Sequence, residues 1–342
     1  PRPVDAFDEV EIQETCEKEL LCHPEYDWIF NITTATTLMS IGAYKAAEKC
    51  RVEHKMQIKC WYLNTANTRV ISLGGSGRDE HIFSIMVDQY VTAYNYQLQS
   101  GNLRAYQDHY RESDWLAIAK MLGQNLQRAD VLKQIMGEAD VKGSPKRPKE
   151  GEEDIFKGYT LEKCVTSEAH DLLKELEAVG LLKNLRKDSS GLRFALSEKQ
   201  YKFLNGAWLE LYVYQSAQDL GIFDDCQWNK EIVDNNLNRR AKTVLQYNEL
   251  DVSMTYKAQL LIVECKTGKA GFESKTLDDL VTIADLLGGR FVGKLLVTNK
   301  SPSDEIDPNK ETSYEDLMTK ADRKGVYLVT GNQLPNIRGI LK

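Results

Sequence analysis

Apolar positions recur at helical spacing over residues 9–21, and a short, nearly all-apolar run at residues 27–32 then reads as a strand of the kind buried in a parallel sheet. A hydroxyl-rich turn, Thr33-Thr34-Ala35-Thr36-Thr37, leads directly into a second helical pattern over residues 38–47, the arrangement of a capped helix N-terminus. Strand-like runs follow at residues 56–63 and 69–73, with a turn at 64–67 between them. Strand, turn, helix, strand is the order of an α/β domain with a parallel sheet, and this segment ends near Gly101. Residues 102–141 look helical, with Ser113-Asp114 ahead of Trp115 as a start signal, and residues 141–154, basic and then acidic, read as an exposed linker.

Next comes a helix over residues 167–179 stopped by Gly180, a strand at 181–186, a turn at Asp188-Ser189-Ser190-Gly191 and a strand at 192–196. Helix followed by hairpin is the pattern of a winged helix, which binds DNA in some proteins and only connects domains in others. From Tyr201 a helix carries Trp208 to Tyr214. Strands are then expected at residues 230–233, 249–256 and 259–265, a helix at 276–287 stopped by Gly288-Gly289, a strand at 294–298, a helix at 313–324 and a strand at 326–330. The pattern predicts an α/β protein in three parts, residues 1–101, 102–200 and 201–342.

Length and composition agree with more than one domain: 342 residues, 42% hydrophobic and 28% charged. A disordered or fibrous chain is excluded. The 44 Lys and Arg against 51 Asp and Glu give a net charge of -7, which argues against a protein that coats nucleic acid by bulk electrostatics. Cys16, Cys22, Cys50, Cys60, Cys164, Cys226 and Cys265 are scattered, with no paired CxxC spacing, so reduced thiols in a cytoplasmic protein are expected. No run approaches the roughly 18 apolar residues of a membrane span, and no signal peptide is visible, so no membrane association is expected.

The chemistry concentrates in Asn248-Glu249-Leu250-Asp251-Val252 and Ile262-Val263-Glu264-Cys265-Lys266, on two strands that flank a turn at Lys257-Ala258. A symmetric connection pairs Tyr256 with Gln259 and, counting outward, Asp251 with Glu264. Opposed like charges destabilise a sheet, so a fold keeps this pair more readily with a cation between the two acids. Alternation puts Glu264 and Lys266 on one face and Cys265 on the other, as a core thiol. Mg²⁺ or Mn²⁺ suits such carboxylate oxygens, and Lys266 is placed to act on a water or a phosphate oxygen. Glu210, on the preceding helix and anchored by Trp208, is a candidate third carboxylate. Spacing alone leaves Asp251 and Lys266 open to a reading as ordinary strand-end charges. The apolar run at residues 260–263 before Glu264 favours a buried site. Arg239-Arg240-Ala241-Lys242 reads either as a solvated run or as a contact to a nucleic-acid backbone. Trp61-Tyr62 and the tyrosines at 90, 94 and 96 read as core or dimer packing, and His54, His81, His109 and His170 have no metal-ligand spacing.

With these residues in place, the C-terminal half resembles the PD-(D/E)xK nuclease domain of CRISPR ancillary nucleases that join a CARF sensor domain to this effector. Matching segments are Asn205-Gly206-Ala207-Trp208-Leu209-Glu210, Asn248 to Val252, Ile262 to Thr267 and Asp285-Leu286-Leu287-Gly288-Gly289. The resemblance implies metal-dependent cleavage of DNA, and in some members RNA, in type III CRISPR antiviral defence. Asp251, Glu264 and Glu210 would hold Mn²⁺ or Mg²⁺, and Asp251, Glu264, Lys266 and Glu210 would be the catalytic set. Phe30 to Ser40 is similar to the CARF turn N-x-T-G-G-T-K-x-M, which implies a cyclic oligoadenylate, cyclic tetra-adenylate among them, held by Asn31, Thr33, Thr34, Thr36 and Thr37 as allosteric activator. Thr34 and Ala35 replace the two glycines and Thr37 the lysine, so a close backbone approach and a cationic contact are lost. The first strand and first ligand loop of a CARF domain have no counterpart before Pro1, which predicts a Rossmann-like CARF domain seen from about its middle onward. A homodimer is implied because CARF domains bind a near-symmetric ligand across a two-fold axis. Two rival readings stay open: a PD-(D/E)xK nuclease of DNA repair or restriction without cyclic-nucleotide control, and a non-catalytic nucleotide-sensing regulator that binds DNA.

Overall fold

The structure is a computed structural model that describes residues 4–33, 36–64, 69–74, 80–81, 84–101, 103, 106–138, 140–141, 157–162, 166–189, 191–234, 248–268, 273–302 and 314–342. Thr34, most of the expected linker and the run Arg239-Arg240-Ala241-Lys242 lie outside the described residues. The chain divides into two compact units, residues 1–84 and 85–342.

In the first unit α1 (Glu9–Cys22) starts at Asp8, whose carboxylate accepts from the N–H groups of Val10 and Glu11. Strand β1 (Trp28–Asn31) leads through the threonine turn to α2 (Thr37–Glu53) and on to β2 (Ile58–Asn64), which lies parallel to β1 with Trp28 beside Ile58. Leu20, Ala46, Ala47, Cys50, Met56, Ile58 and Cys60 form the core of this unit. Strand β3 (Arg69–Leu73) pairs antiparallel with β2, and β4 (Glu80–His81) antiparallel with β3. The parallel relation expected of this segment therefore holds for β1 and β2, while β2 and β3 form an antiparallel pair.

The second unit opens with α3 (Val87–Ala93) and β5 (Tyr96–Ser100), followed by α4 (Gln107–Tyr110), α5 (Ser113–Gln124) and α6 (Leu126–Glu138). Strands β6 (Asp140–Val141) and β7 (Lys157–Leu161), helix α7 (Ser167–Ala178) and strands β8 (Lys183–Asp188) and β9 (Gly191–Leu196) come next. Here the expected helix and hairpin are present, with β7 and β6 added to give the order β6-β7-β9-β8. A short helix α8 (Glu198–Lys202) runs through a π turn (Phe203–Ala207) into α9 (Trp208–Leu220). The rest is β10 (Asp225–Asp234), β11 (Asn248–Tyr256), β12 (Gln259–Lys266), α10 (Ser274–Leu286), β13 (Gly293–Thr298), α11 (Tyr314–Arg323), β14 (Tyr327–Val329) and α12 (Ile337–Leu341).

A six-stranded sheet in the order β14-β13-β12-β11-β10-β5 organises the unit. Strands β12, β13 and β14 are parallel, joined by helical crossovers, whereas β10, β11 and β12 are antiparallel neighbours. Lys257 and Ala258, at φ 52° and 58°, make the two-residue turn between β11 and β12, and Tyr256 pairs with Gln259 as the spacing predicts. One core holds Trp228, Val252, Val263 and Cys265 with the helices α5, α6 and α9; the other holds Leu250, Ile262 and Leu296 with α3, α10 and α11.

Two expected boundaries differ from the packing. Residues 85–101, read with the N-terminal part, belong to the second unit: β5 pairs antiparallel with β10, Ser100 beside Lys230, and Val87 and Val91 are buried with Leu277 and Leu280. Residues 102–200, read as a separate connector, share one core with the C-terminal part, where Tyr110, Trp115 and Leu122 pack with Trp208, Leu211 and Val213. No helix among the described residues is long and apolar enough to cross a membrane.

Candidate active site

The ends of β11 and β12 and the start of α9 converge on one cavity of about 670 Å³, lined among others by Glu210, Glu249, Asp251 and Lys266. The recorded β11–β12 register ends at the pair Val252–Val263, and Asp251 and Glu264 lie just beyond it, joined through Lys266. Cys265 and Val263 lie in one core and Ile262 in the other, so Glu264 and Lys266 alternate away from the thiol as expected. Cys265 is buried, and burial pushes its thiol well above the ordinary range, so it is a core residue and no thiolate nucleophile.

Lys266 supplies the cation between the two acids. Its Nζ lies 2.5 Å from Glu264 Oε1 and 3.5 Å from Asp251 Oδ2. Burial alone would lower the lysine, but Asp251 and Glu264 outweigh it and raise it. Asp251 is 6% exposed and its Oδ2 accepts from the backbone N–H of Cys265 at 2.7 Å, so the carboxylate takes over where the recorded ladder stops. Burial pushes Asp251 up, with Lys266 and the Cys265 N–H opposing.

Glu210 reaches the cavity because of the turn before it. The π turn brings Asn205, Gly206 and Ala207 to the cavity wall, and the Asn205 carbonyl accepts from Thr267 Oγ1 at 2.8 Å, which ties α9 to the end of β12. Trp228 Nε1 donates to Glu210 Oε2 at 3.1 Å. Burial, then the charges of Asp251 and Glu249, push Glu210 well above the usual carboxylate range. Trp208, expected to anchor this helix, is 2% exposed in the core.

Glu249 is the cavity carboxylate that sequence reasoning left out of the site. Its signal was the spacing Glu249-Leu250-Asp251, two acids one residue apart on a strand. Burial and the charge of Asp251 push it up to about 7, and the same two causes push Glu264 up to about 7. Each carboxylate is thus short of positive charge, a deficit that a divalent cation relieves. Among the described residues no three His, Cys, Asp or Glu side chains are already gathered as a metal shell. The donor chemistry nevertheless suits a hard cation, because Mg²⁺ commonly uses one or two carboxylates and completes its shell with water. Asp251 and Glu264, which share Lys266 as ion-pair partner, are the two carboxylates that would hold such an ion.

In the first unit the threonine turn sits at the end of β1 and the start of α2. Asn31 Oδ1 accepts from Thr33 N–H at 3.1 Å, Thr33 Oγ1 accepts from Leu63 N–H at 2.7 Å, and Thr36 caps α2 through Met39 N–H at 3.2 Å. Thr36 Oγ1 also donates to the Ala6 carbonyl at 2.9 Å. Asn31, Thr33 and Thr36 therefore build the turn with the groups expected to touch a ligand, and Thr37 opens the helix. The N-terminus of this 17-residue helix has no acidic residue in its first turn, a setting that favours an anion.

Comparison with known proteins adds the following. The family described as Card1-like, endonuclease domain, matches residues 197–342. No curated protein matches the chain. Among solved structures, protein VC1899 from Vibrio cholerae superposes at a TM-score of 0.66 with 19% identity, over 99% of this chain and 81% of that one. Can2 from Sulfobacillus thermosulfidooxidans, solved in complex with cyclic tetra-adenylate, superposes at 0.62 with 17% identity, over 98% and 80%. The chain shares their fold, and its residues 197–342, which carry the carboxylates and lysine described above, match the Card1-like endonuclease domain family.

Proposed function

We propose that the protein is a metal-dependent endonuclease that cleaves DNA, and RNA as a secondary substrate, and is switched on by cyclic tetra-adenylate bound in its first unit. The carrying observation is that Glu210, Asp251 and Lys266 line one cavity, with Glu264 paired to Lys266 beside it, inside a segment that matches the Card1-like endonuclease domain family. Asp251 and Glu264 would hold Mn²⁺ or Mg²⁺, with Glu210 assisting. When bound, such an ion supplies Lewis acidity at a phosphoryl oxygen and lowers the pKa of a coordinated water.

The chain's own residues do the rest. Lys266 carries a full positive charge at neutral pH and lies at the cavity wall, where it stabilises negative charge that develops on the phosphate. Trp228 holds Glu210 by its indole N–H, and Cys265 N–H holds Asp251, so both carboxylates are oriented before substrate arrives. The acidic total charge makes the engagement of nucleic acid local, at the site and a few cations, instead of electrostatic over the surface.

For the switch, the helix N-terminus behind the threonine turn supports an anionic ligand, and the shared fold with Can2 in its cyclic tetra-adenylate complex supports its identity. We take the working form to be a homodimer in the cytoplasm, part of type III CRISPR defence. The test is incubation with plasmid, single-stranded DNA and single-stranded RNA in Mn²⁺, with and without cyclic tetra-adenylate. Cutting that needs the metal and rises with the cyclic nucleotide is the expected result. Equal rates with and without it would favour a repair or restriction nuclease, and no cutting under any condition would favour a non-catalytic regulator.

A further inference from the structure

Strand β10 is irregular next to the site. Its recorded pairing with β11 runs from Trp228–Val252 to Lys230–Leu250 and skips Asn229–Asp251, and Asn229 sits at φ 50°. Trp228 and Val252 face one core, whereas Ile232 and Leu250, at the same parity, lie in the other. The strands change faces at Asn229 and Asp251, as kinked strands beside active sites do.

Asn229 is 1% exposed, and its side-chain amide and its carbonyl are both directed. Its Oδ1 accepts from Leu103 N–H at 2.9 Å; its carbonyl accepts from Gly101 N–H at 2.9 Å and from Gln107 Nε2 at 3.4 Å. Because the amide oxygen faces the Leu103 N–H, the Nδ2 group must be the donor end, and it donates to Glu249 Oε1. Room for this comes from Gly101, where a Cβ would lie 2.5 Å from Asn229 Oδ1 and 2.7 Å from its carbonyl oxygen. The φ itself suits asparagine, one of the few residues other than glycine that visits this region readily.

We propose that Asn229 is a positioning residue that holds the Glu249 carboxylate among the groups receiving the cation, and that the chain at Gly101 and Leu103 fixes Asn229 in turn. The inference rests on the nuclease reading above. A neutral donor does this work better than a lysine or arginine, since it orients the carboxylate without a positive charge that would compete with the metal.

The test is a double-mutant cycle on the full chain, read as Mn²⁺ affinity by the paramagnetic signal of the free ion and as kcat. Asn229→Gly keeps the backbone conformation and removes the amide; Glu249→Gln removes the charge it orients. Each single variant should weaken Mn²⁺ binding and lower kcat by about 10–100-fold, the usual effect of an outer-shell partner. The double variant should be no worse than Glu249→Gln alone. Asn229→Asp keeps an oxygen for the Leu103 N–H but sets a second buried carboxylate against Glu249 in place of the donor, so it should melt lower than wild type and fall with Asn229→Gly in Mn²⁺ affinity and kcat. Multiplying effects in the double variant, or wild-type behaviour of Asn229→Asp, would overturn the inference while leaving the nuclease reading intact. A wild-type chain that neither binds Mn²⁺ nor cuts would overturn the nuclease reading, and this inference with it.

Discussion

Glu249 and Glu264 hold their protons to about pH 7 in the folded protein, whereas an unfolded glutamate releases its proton near ~4.3. Between those values the folded state binds more protons than the unfolded one, so this pair makes stability fall as pH rises through the window and level off above it. The metal-free melting temperature should therefore drop from about pH 5 to about pH 7.5. The double variant Glu249→Gln, Glu264→Gln should lack that drop, and Mn²⁺ at the upper end should restore the wild type. A melting temperature equally pH-dependent in the double variant would contradict the assignment of the shifts to burial. A second expectation concerns thiols: Cys22 is exposed while Cys50, Cys60, Cys226 and Cys265 are buried, and burial pushes Cys226 up to about 12. Iodoacetamide at neutral pH, read by mass spectrometry, should label Cys22 and leave the buried four unmodified; labelling of Cys265 would contradict the core reading.

At the level of elements, α5 and α9 approach closely because Gly123 has no side chain. A Cβ there would lie 2.3 Å from the ring of Tyr212, whose hydroxyl donates to the Leu334 carbonyl at 3.0 Å. Gly123→Ala should cost about 1–3 kcal/mol by overpacking, measured as a lowered melting temperature; an unchanged value would show that the ring can shift at no cost. The hairpin of β11 and β12 was legible in the sequence because alternation and a two-residue connection determine its register from Tyr256–Gln259 to Val252–Val263, which brings Asp251 and Glu264 to the same end of it. Glu249 was harder to place, since its partner Asn229 comes from another strand and depends on a local change of backbone direction that no periodicity announces. The place of strand β5 was not legible either: Tyr-Gln-Leu-Gln-Ser alternates like any strand and says nothing about which sheet it joins. The α12 segment went unread because five residues are too short for a helical period, though Leu334, Ile337 and Leu341 close the core beside Tyr212.

On the scale of the whole molecule, the three parts expected from the pattern become two units, because residues from the middle segment and from the C-terminal segment share one buried core. A fragment of residues 85–342 should fold alone, whereas one starting at residue 102 loses β5 and bares the edge of β10. Circular dichroism and thermal melting of the two fragments check this, and a cooperative melt from the shorter one would contradict it. The 85–342 fragment should also have lost any response to cyclic tetra-adenylate, since the threonine turn lies in the other unit. The account as a whole turns on Asp251, Glu264 and Lys266 acting as one site. Its most direct test is the cleavage rate of Glu264→Ala beside wild type, in Mn²⁺ with cyclic tetra-adenylate, after the two have been matched by melting temperature. The account predicts a folded variant with cleavage reduced by about a thousandfold or more, the scale seen when a member of a concerted catalytic set is removed; metal-dependent cutting at the wild-type rate would contradict it.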